Sequence, residues 1–320
     1  MAKKDPNDIT PVEQRFLEAV VQVRQQPVPA KNQISFIAKE FVQVNLPHAD
    51  PGDVKIWKRT NGRLTLSIRP GWDHDNDKPL GYPYGTLPRL LLFWLTGEVL
   101  RTKSRRIFLG ETLTQFLREL GLDPEHGGER GYAVRLKDQM ERLFRATISF
   151  EMREKKEDAD LRERKSWIDM QIATDGELWW HPREDERIDW QSWIELSEKF
   201  YQAILRSPVP VDSRVLIAFK NTALGLDLYS WLAYKLYQIN KDGKRQFITW
   251  ESLSLQMGSD YADVKNFKRK TKEALNKIQI LYPSLKIEYP KGGVMIYPGS
   301  LFVPEKEPPP AFLILEDSNA

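Results

Sequence analysis

"LLLFWLTGEVL" at residues 90–100 and "LDLYSWLAYKL" at residues 226–236 decide how this chain is built, because they are the same statement made twice. Each reads as a helix with a Trp-Leu pair at its centre. The spacing from Trp94 to Trp231 recurs from Thr112 to Thr249 and from Gly121 to Gly258. Thr112 and Thr249 each open a second helix, and Gly121 and Gly258 each end it. Tyr132-Ala133 and Tyr261-Ala262 then precede a third helix in each copy, at a slightly shorter offset. Three helices followed by strands, repeated, predict an α+β chain of two tandem winged-helix domains, an architecture whose usual partner is DNA.

In the first copy Thr86 is placed to cap a helix and Pro88 fits its first turn. Leu91, Trp94, Leu95 and Val99 fall on one face. "RRIFLG" (105–110) is a short strand. Thr112 with Gln115 makes a capping box for a helix over 112–120, and Gly121 suits the left-handed stop. After Gly127 and Gly128, a third helix over 132–144 buries Leu136, Met140, Leu143 and Phe144. "ATISFEM", "SWIDMQIA" and "SWIELS" follow as strands, with the charged run from Glu154 to Lys165 as a solvated loop or wing. The second copy has Leu228, Trp231, Leu232 and Leu236 on its long helix and a strand at "QFI". Its further helices cover 249–257 and about 262–280, and a wing hairpin forms around Gly292-Gly293. Upstream, "VKIWKRTNGRLTLSIRPG" is a β-hairpin with Asn61-Gly62 as a type I′ turn. The expected divisions are an N-terminal arm and hairpin (1–79), a first winged helix (80–207), a second (208–303) and a disordered tail (304–320).

Composition narrows the function. There are no cysteines among 320 residues, which removes disulfides, thiolate metal sites and cysteine nucleophiles and suits a reducing cytosol. No stretch approaches the roughly 20 apolar residues of a membrane span, and the N-terminus lacks an apolar signal core. A soluble, cytoplasmic protein is expected. The net charge is only +3, so its distribution is more informative. Lys265, Lys268, Arg269, Lys270, Lys272 and Lys277 crowd the last helix against Asp263 and Glu273, while acids collect at Glu184, Asp185 and Glu186, between Arg183 and Arg187, and in the tail.

On a helical wheel, Val264, Phe267, Thr271, Ala274, Leu275 and Ile278 share one side of that helix. Lys265, Arg269, Lys272 and Asn276 lie opposite, with Asn266 and Glu273 at the flank. A cationic face on the third helix of such a unit is placed to enter a DNA major groove. There Lys and Arg neutralise phosphates, and Arg and Asn pair with guanine and adenine edges. Solvated basic faces are also common on surface helices. The candidate DNA-binding residues are Lys265, Asn266, Lys268, Arg269, Lys272 and Asn276, with Lys291 at the tip of the second hairpin. In the first copy Arg130, Arg135 and Lys137 are candidates alongside Arg142 and Arg145, but Asp138 and Glu141 share that surface. It suits phosphate contact or dimerisation equally.

The run "YPYGTLPRLLLFWLTGEVLRTKSRRIFLGETLTQFLRELGL" (Tyr82–Leu122) resembles the signature of the RepA-type plasmid replication initiators. "WKRTNGRLTLSIRPG" and "WIELSEKFYQAI" support it, and the likeness covers roughly residues 50–300. The resemblance implies binding to repeated origin sites (iterons) in double-stranded DNA, opening of the adjacent duplex and recruitment of host replication initiation proteins. It also implies a homodimer in equilibrium with a monomer, the dimer often repressing the initiator's own promoter. The second domain would read the groove through Lys265, Asn266, Arg269 and Lys272, and the first would supply backbone contacts or the dimer interface.

No enzyme, cofactor or metal is expected. The four histidines, His48, His74, His126 and His181, are isolated in sequence, and no phosphate-binding G-x-x-x-x-G-K-[ST] loop is present. Asp73, His74, Asp75 and Asp77 in "GWDHDNDKPLG" are the one dense set of metal-capable groups, as a primase or nuclease would need, but a turn-rich solvated linker accounts for them. A repressor without an initiation role, or a protein-interaction module, would use the same helices.

Overall fold

The computed structural model describes residues 9–125, 128, 131–153, 165–178, 192–257, 261 and 263–305. Arg130, Gly127, Gly258, Ala262, His126 and His181, the charged run 154–164, the acidic trio 184–186 with Arg183 and Arg187, and the tail from 306 lie outside these residues.

The chain begins with α1 (Pro11–Gln25), β1 (Ile34–Ala38) and α2 (Lys39–Gln43), then the hairpin β2 (Trp57–Asn61) and β3 (Leu64–Arg69) and a small one, β4 (Trp72–Asp73) and β5 (Lys78–Pro79). The first copy supplies α3 (Leu87–Thr102), β6 (Arg106–Phe108), α4 (Leu113–Glu119) and α5 (Tyr132–Arg145). It continues with β7 (Thr147–Arg153), β8 (Lys165–Gln171), β9 (Ala173–Glu177) and β10 (Trp193–Leu196). Next come α6 (Glu198–Arg206), β11 (Pro208–Asp212) and α7 (Ser213–Phe219). The second copy is α8 (Ala223–Asp242), β12 (Gln246–Thr249), α9 (Trp250–Met257), α10 (Val264–Leu281), β13 (Ile287–Glu288) and β14 (Gly293–Ile296). It is an α+β protein, and no helix among the described residues is long and apolar enough to cross a membrane.

Local chemistry sets the helix limits. Thr112 Oγ1 accepts from the Gln115 N–H at 3.0 Å and Thr249 Oγ1 from Ser252 at 3.1 Å, each satisfying an amide that the helix cannot. The Gln115 side chain does not close the box back onto Thr112; it reaches forward to Glu119. Thr86 stands before α3 without a side-chain cap. Gly121 takes φ +70° where α4 stops. The helices α3 and α8 are buried nearly all round, as expected of elements at the centre of a body. The two matched tryptophans differ: Trp231 is fully buried, whereas Trp94 is only partly covered and donates its indole N–H to Glu119.

Strand pairing departs from a plain duplication. In the second copy β12, between the first two helices, pairs with β14, giving the order β12-β14-β13. In the first copy the strands after the third helix join the upstream hairpin instead, in the order β2-β3-β7-β8. Trp57, Leu66, Ile68, Ile148 and Phe150 point inward there, alternating with exposed or half-buried polar residues. The chain then bends at the buried Ile172 from β8 into β9, and β6 finds its partner in β10, order β6-β10-β9. The hairpin turn is also one residue later than expected. Asn61 pairs with Leu64, so Gly62-Arg63 is the loop, and only Gly62 has positive φ, +57°. Asn61 is held in the strand by its side-chain amide, which donates to Gln43 O at 2.8 Å.

Residues 9–50 are packed rather than extended as an arm. β1 pairs along its length with β11, and Arg214 donates to Gln22 O and Gln26 O at the end of α1 while pairing with the buried Asp212. Buried apolar residues from Ala19 to Phe302 form one continuous cluster through both copies.

Candidate nucleic-acid interface

α10 has two chemically distinct sides. Asp263 caps it by accepting from the Lys265 N–H at 2.8 Å. Phe267, Thr271, Ala274, Leu275, Ile278 and Leu281 are buried, while Lys265, Asn266, Lys268, Arg269 and Asn276 are exposed and Lys272 half-buried. The wheel misplaces Val264, which is 60% exposed. It is the first residue of the helix, where the body does not reach.

Aromatic groups on two neighbouring elements hold part of the cationic side in place. Trp250, at the start of α9, stacks on Tyr289, which follows β13, with centroids 6.2 Å apart and planes 14° from parallel. Lys272 Nζ lies 4.8 Å from the Tyr289 ring and 5.8 Å from Trp250, and Lys268 Nζ lies 5.5 Å from Trp250. Cation–π attraction of this kind contributes ~0.5–1 kcal/mol at exposed sites and restricts two otherwise free lysines. The Tyr289 hydroxyl donates to Asn276 Oδ1 at 2.9 Å; burial pushes that phenol up to about 12, so it keeps its proton. Trp250 and Tyr289 were not singled out by sequence. The available signal was an aromatic directly after a capping threonine and another at the start of the β13–β14 turn.

The cations of α10 are not equivalent. Arg269 Nη1 donates to Glu273 Oε1 at 2.6 Å and Nη2 to Asn266 Oδ1 at 2.9 Å. Lys270 Nζ sits 3.4 Å from the other Glu273 oxygen. Hydrogen bonding from Arg269 above all holds the Glu273 carboxyl below its ordinary range, so it is charged at neutral pH. Lys265, Lys268 and Lys272 have no carboxylate partner among the described residues. Lys277 belongs to a different neighbourhood, 5.5 Å over the Phe16 ring of α1, and Arg24 of α1 donates to Ile280 O at 2.9 Å. α1 thus fixes the far end of α10, while Lys265, Asn266, Lys268 and Arg269 on its first turns stay exposed.

Lys291 is exposed in the β13–β14 turn. Gly293 is required beside it, since a Cβ there would lie 2.2 Å from Ile248 O. In the first copy Arg135 and Lys137 are exposed on α5. Arg142 is committed to Asp138 at 2.9 Å and Asp50 at 3.3 Å, and Arg145 to Trp72 O at 2.7 Å, so these two serve the fold. The Asp73 carboxylate accepts from Asp75 N, Asn76 N and Asn76 Nδ2, so it closes its own turn. His48, isolated in sequence, is not isolated in space: its Nε2 is 2.7 Å from Asp227 Oδ2.

The fold and this face together define an α+β protein that carries a cationic helix on a shared core. The chain belongs to the family described as plasmid encoded RepA protein (RepA_C), whose model matches residues 82–252, more than half its length. The match runs from the approach to α3 into α9 and stops short of α10. A crystal structure of domains 2 and 3 of RctB aligns with 81% of this chain and 97% of its own at 12% identity and a TM-score of 0.48. A second, of RctB residues 155–483, aligns with 80% and 94% at 11% identity and a TM-score of 0.44. No curated protein matches the chain.

Proposed function

We propose that the chain is a plasmid replication initiator that binds duplex DNA through α10 at repeated origin sites. Binding energy would be used to distort neighbouring duplex and to gather host initiation proteins, without a catalytic step. We read the second copy as a winged helix: α8, α9 and α10 form its three helices, and β13–β14 is the wing closing on β12. The first copy is read as a modified winged helix whose wing strands have been taken up by the β2–β3 hairpin. It contributes phosphate contacts through Arg135 and Lys137 or the surface of a dimer in equilibrium with the monomer.

Family membership supports the initiator role. One observation carries the DNA reading: Lys265, Lys268 and Lys272 stand on the side of α10 away from the core, exposed or half-buried, the last two held over the Trp250–Tyr289 stack. A helix about 10–12 Å across enters a major groove ~12 Å wide. The test is a footprint of the purified chain on its own replicon. Periodic protection of short direct repeats is expected; protection of a single inverted repeat over a promoter would replace the initiator with a repressor.

A further inference from the structure

The side of α10 offered to DNA carries an anion. Glu273 is exposed among the lysines, and any helix that enters a groove brings its carboxylate toward the phosphate backbone. An element built only for charge neutralisation would not keep it there. Its geometry suggests another use. The Arg269 guanidinium is held on both sides, by Glu273 Oε1 at 2.6 Å and Asn266 Oδ1 at 2.9 Å, so its fork lies along the helix. An unrestrained arginine reaches whichever phosphate is nearest. A restrained one keeps its remaining N–H groups in a fixed plane, which suits two acceptors at fixed spacing such as guanine O6 and N7.

We propose that Glu273 is a positioning residue for specificity: it holds Arg269 for a base edge and repels phosphate, so that binding to arbitrary DNA is weakened more than binding to the proper site. This rests on the reading of α10 as the element that enters the duplex. Two observations favour it over a helix-stabilising pair alone. Glu273 binds Lys270 as well as Arg269 and so withdraws two cations from phosphates. The lysines over the aromatic stack have no carboxylate partner among the described residues, which divides the face into lysines whose charge is left for phosphates and an arginine paired with a carboxylate.

The full chain is used to enrich a randomised duplex library. The enriched duplex and the unenriched pool are then the two probes for the wild type, Glu273→Gln, Arg269→Gln and the double variant. The glutamine is isosteric at a solvent-exposed position, so the fold is not at stake. Glu273→Gln should bind the pool about three- to tenfold more tightly, with a salt slope steeper by roughly 0.9 for each of Arg269 and Lys270 that then meets a phosphate, about 1.8 for both. It should gain less on the enriched duplex, so selectivity falls. In the Arg269→Gln background the selectivity change should vanish. Unchanged selectivity, or the same change without Arg269, would each overturn the role of Glu273 while leaving α10 as the binding element. A wild-type chain that enriches no sequence removes both claims together.

Discussion

Asp227 shows how much can rest on one side chain. Both its oxygens accept from Arg89 at 2.7 Å, and one also meets His48 Nε2. Arg89 spends its other donors on Pro47 O, Gly85 O and Leu46 O, so the segment before β2, the first helix of one copy and the first helix of the other are joined at a single carboxylate. Burial alone would raise the pKa of Asp227, but the Arg89 charge and the His48 hydrogen bond bring it below the ordinary range. Asp227→Asn leaves Arg89 buried without its counter-charge and should destabilise the chain by ~3–5 kcal/mol in denaturant titrations at neutral pH. A lowered folded pKa contributes stability above the unfolded value of about 3.9 and loses it as pH falls through the folded value. The gap between wild type and variant should therefore narrow below pH ~4; a gap independent of pH would show that the charge is not what matters. None of this was legible in the sequence, where Arg89 and Asp227 are 138 residues apart and no local pattern marks a pair at such distance.

At the scale of elements, legibility followed locality. The helices of both copies were readable because caps, stops and apolar spacing lie within a few residues of one another. The strands of the upstream hairpin and, β9 apart, of the two copies were readable for the same reason, but their partners were not. β6 waits for β10, and β7 turns to β3 because an upstream hairpin already offers an edge. α6, α7 and β11 were missed because they sit between the repeated motifs, and their burial comes from packing on β1 and α1. The β12–β14 pairing depends on a close approach between residues far apart in sequence, which only the assembled sheet reveals. Gly293→Ala places a methyl 2.2 Å from Ile248 O and should lower stability by ~1–3 kcal/mol, read as a shifted denaturation midpoint. An unchanged midpoint would mean that β12 and β14 separate at no cost.

For the whole molecule, the basic side of α10 was legible because period 3.6 separates it from Phe267, Leu275 and Ile278. The ranking of its cations was not, since that is set by Trp250, Tyr289 and Glu273. The body holds α10 firmly at its far end, through Arg24 and Lys277 against α1, and leaves Lys265, Asn266, Lys268 and Arg269 on its first turns exposed. That arrangement suits an element inserted into a partner. If its lysines meet phosphates, they should act through counterion release, and the affinity for duplex should fall steeply between about 50 and 200 mM salt. The most direct test is the salt slope of duplex binding for the wild-type chain against Lys268→Ala/Lys272→Ala. The account predicts a slope smaller by roughly 1.8 in the double variant, ~0.9 for each phosphate that is no longer neutralised, whereas identical slopes, or wild-type binding indifferent to salt, would contradict it.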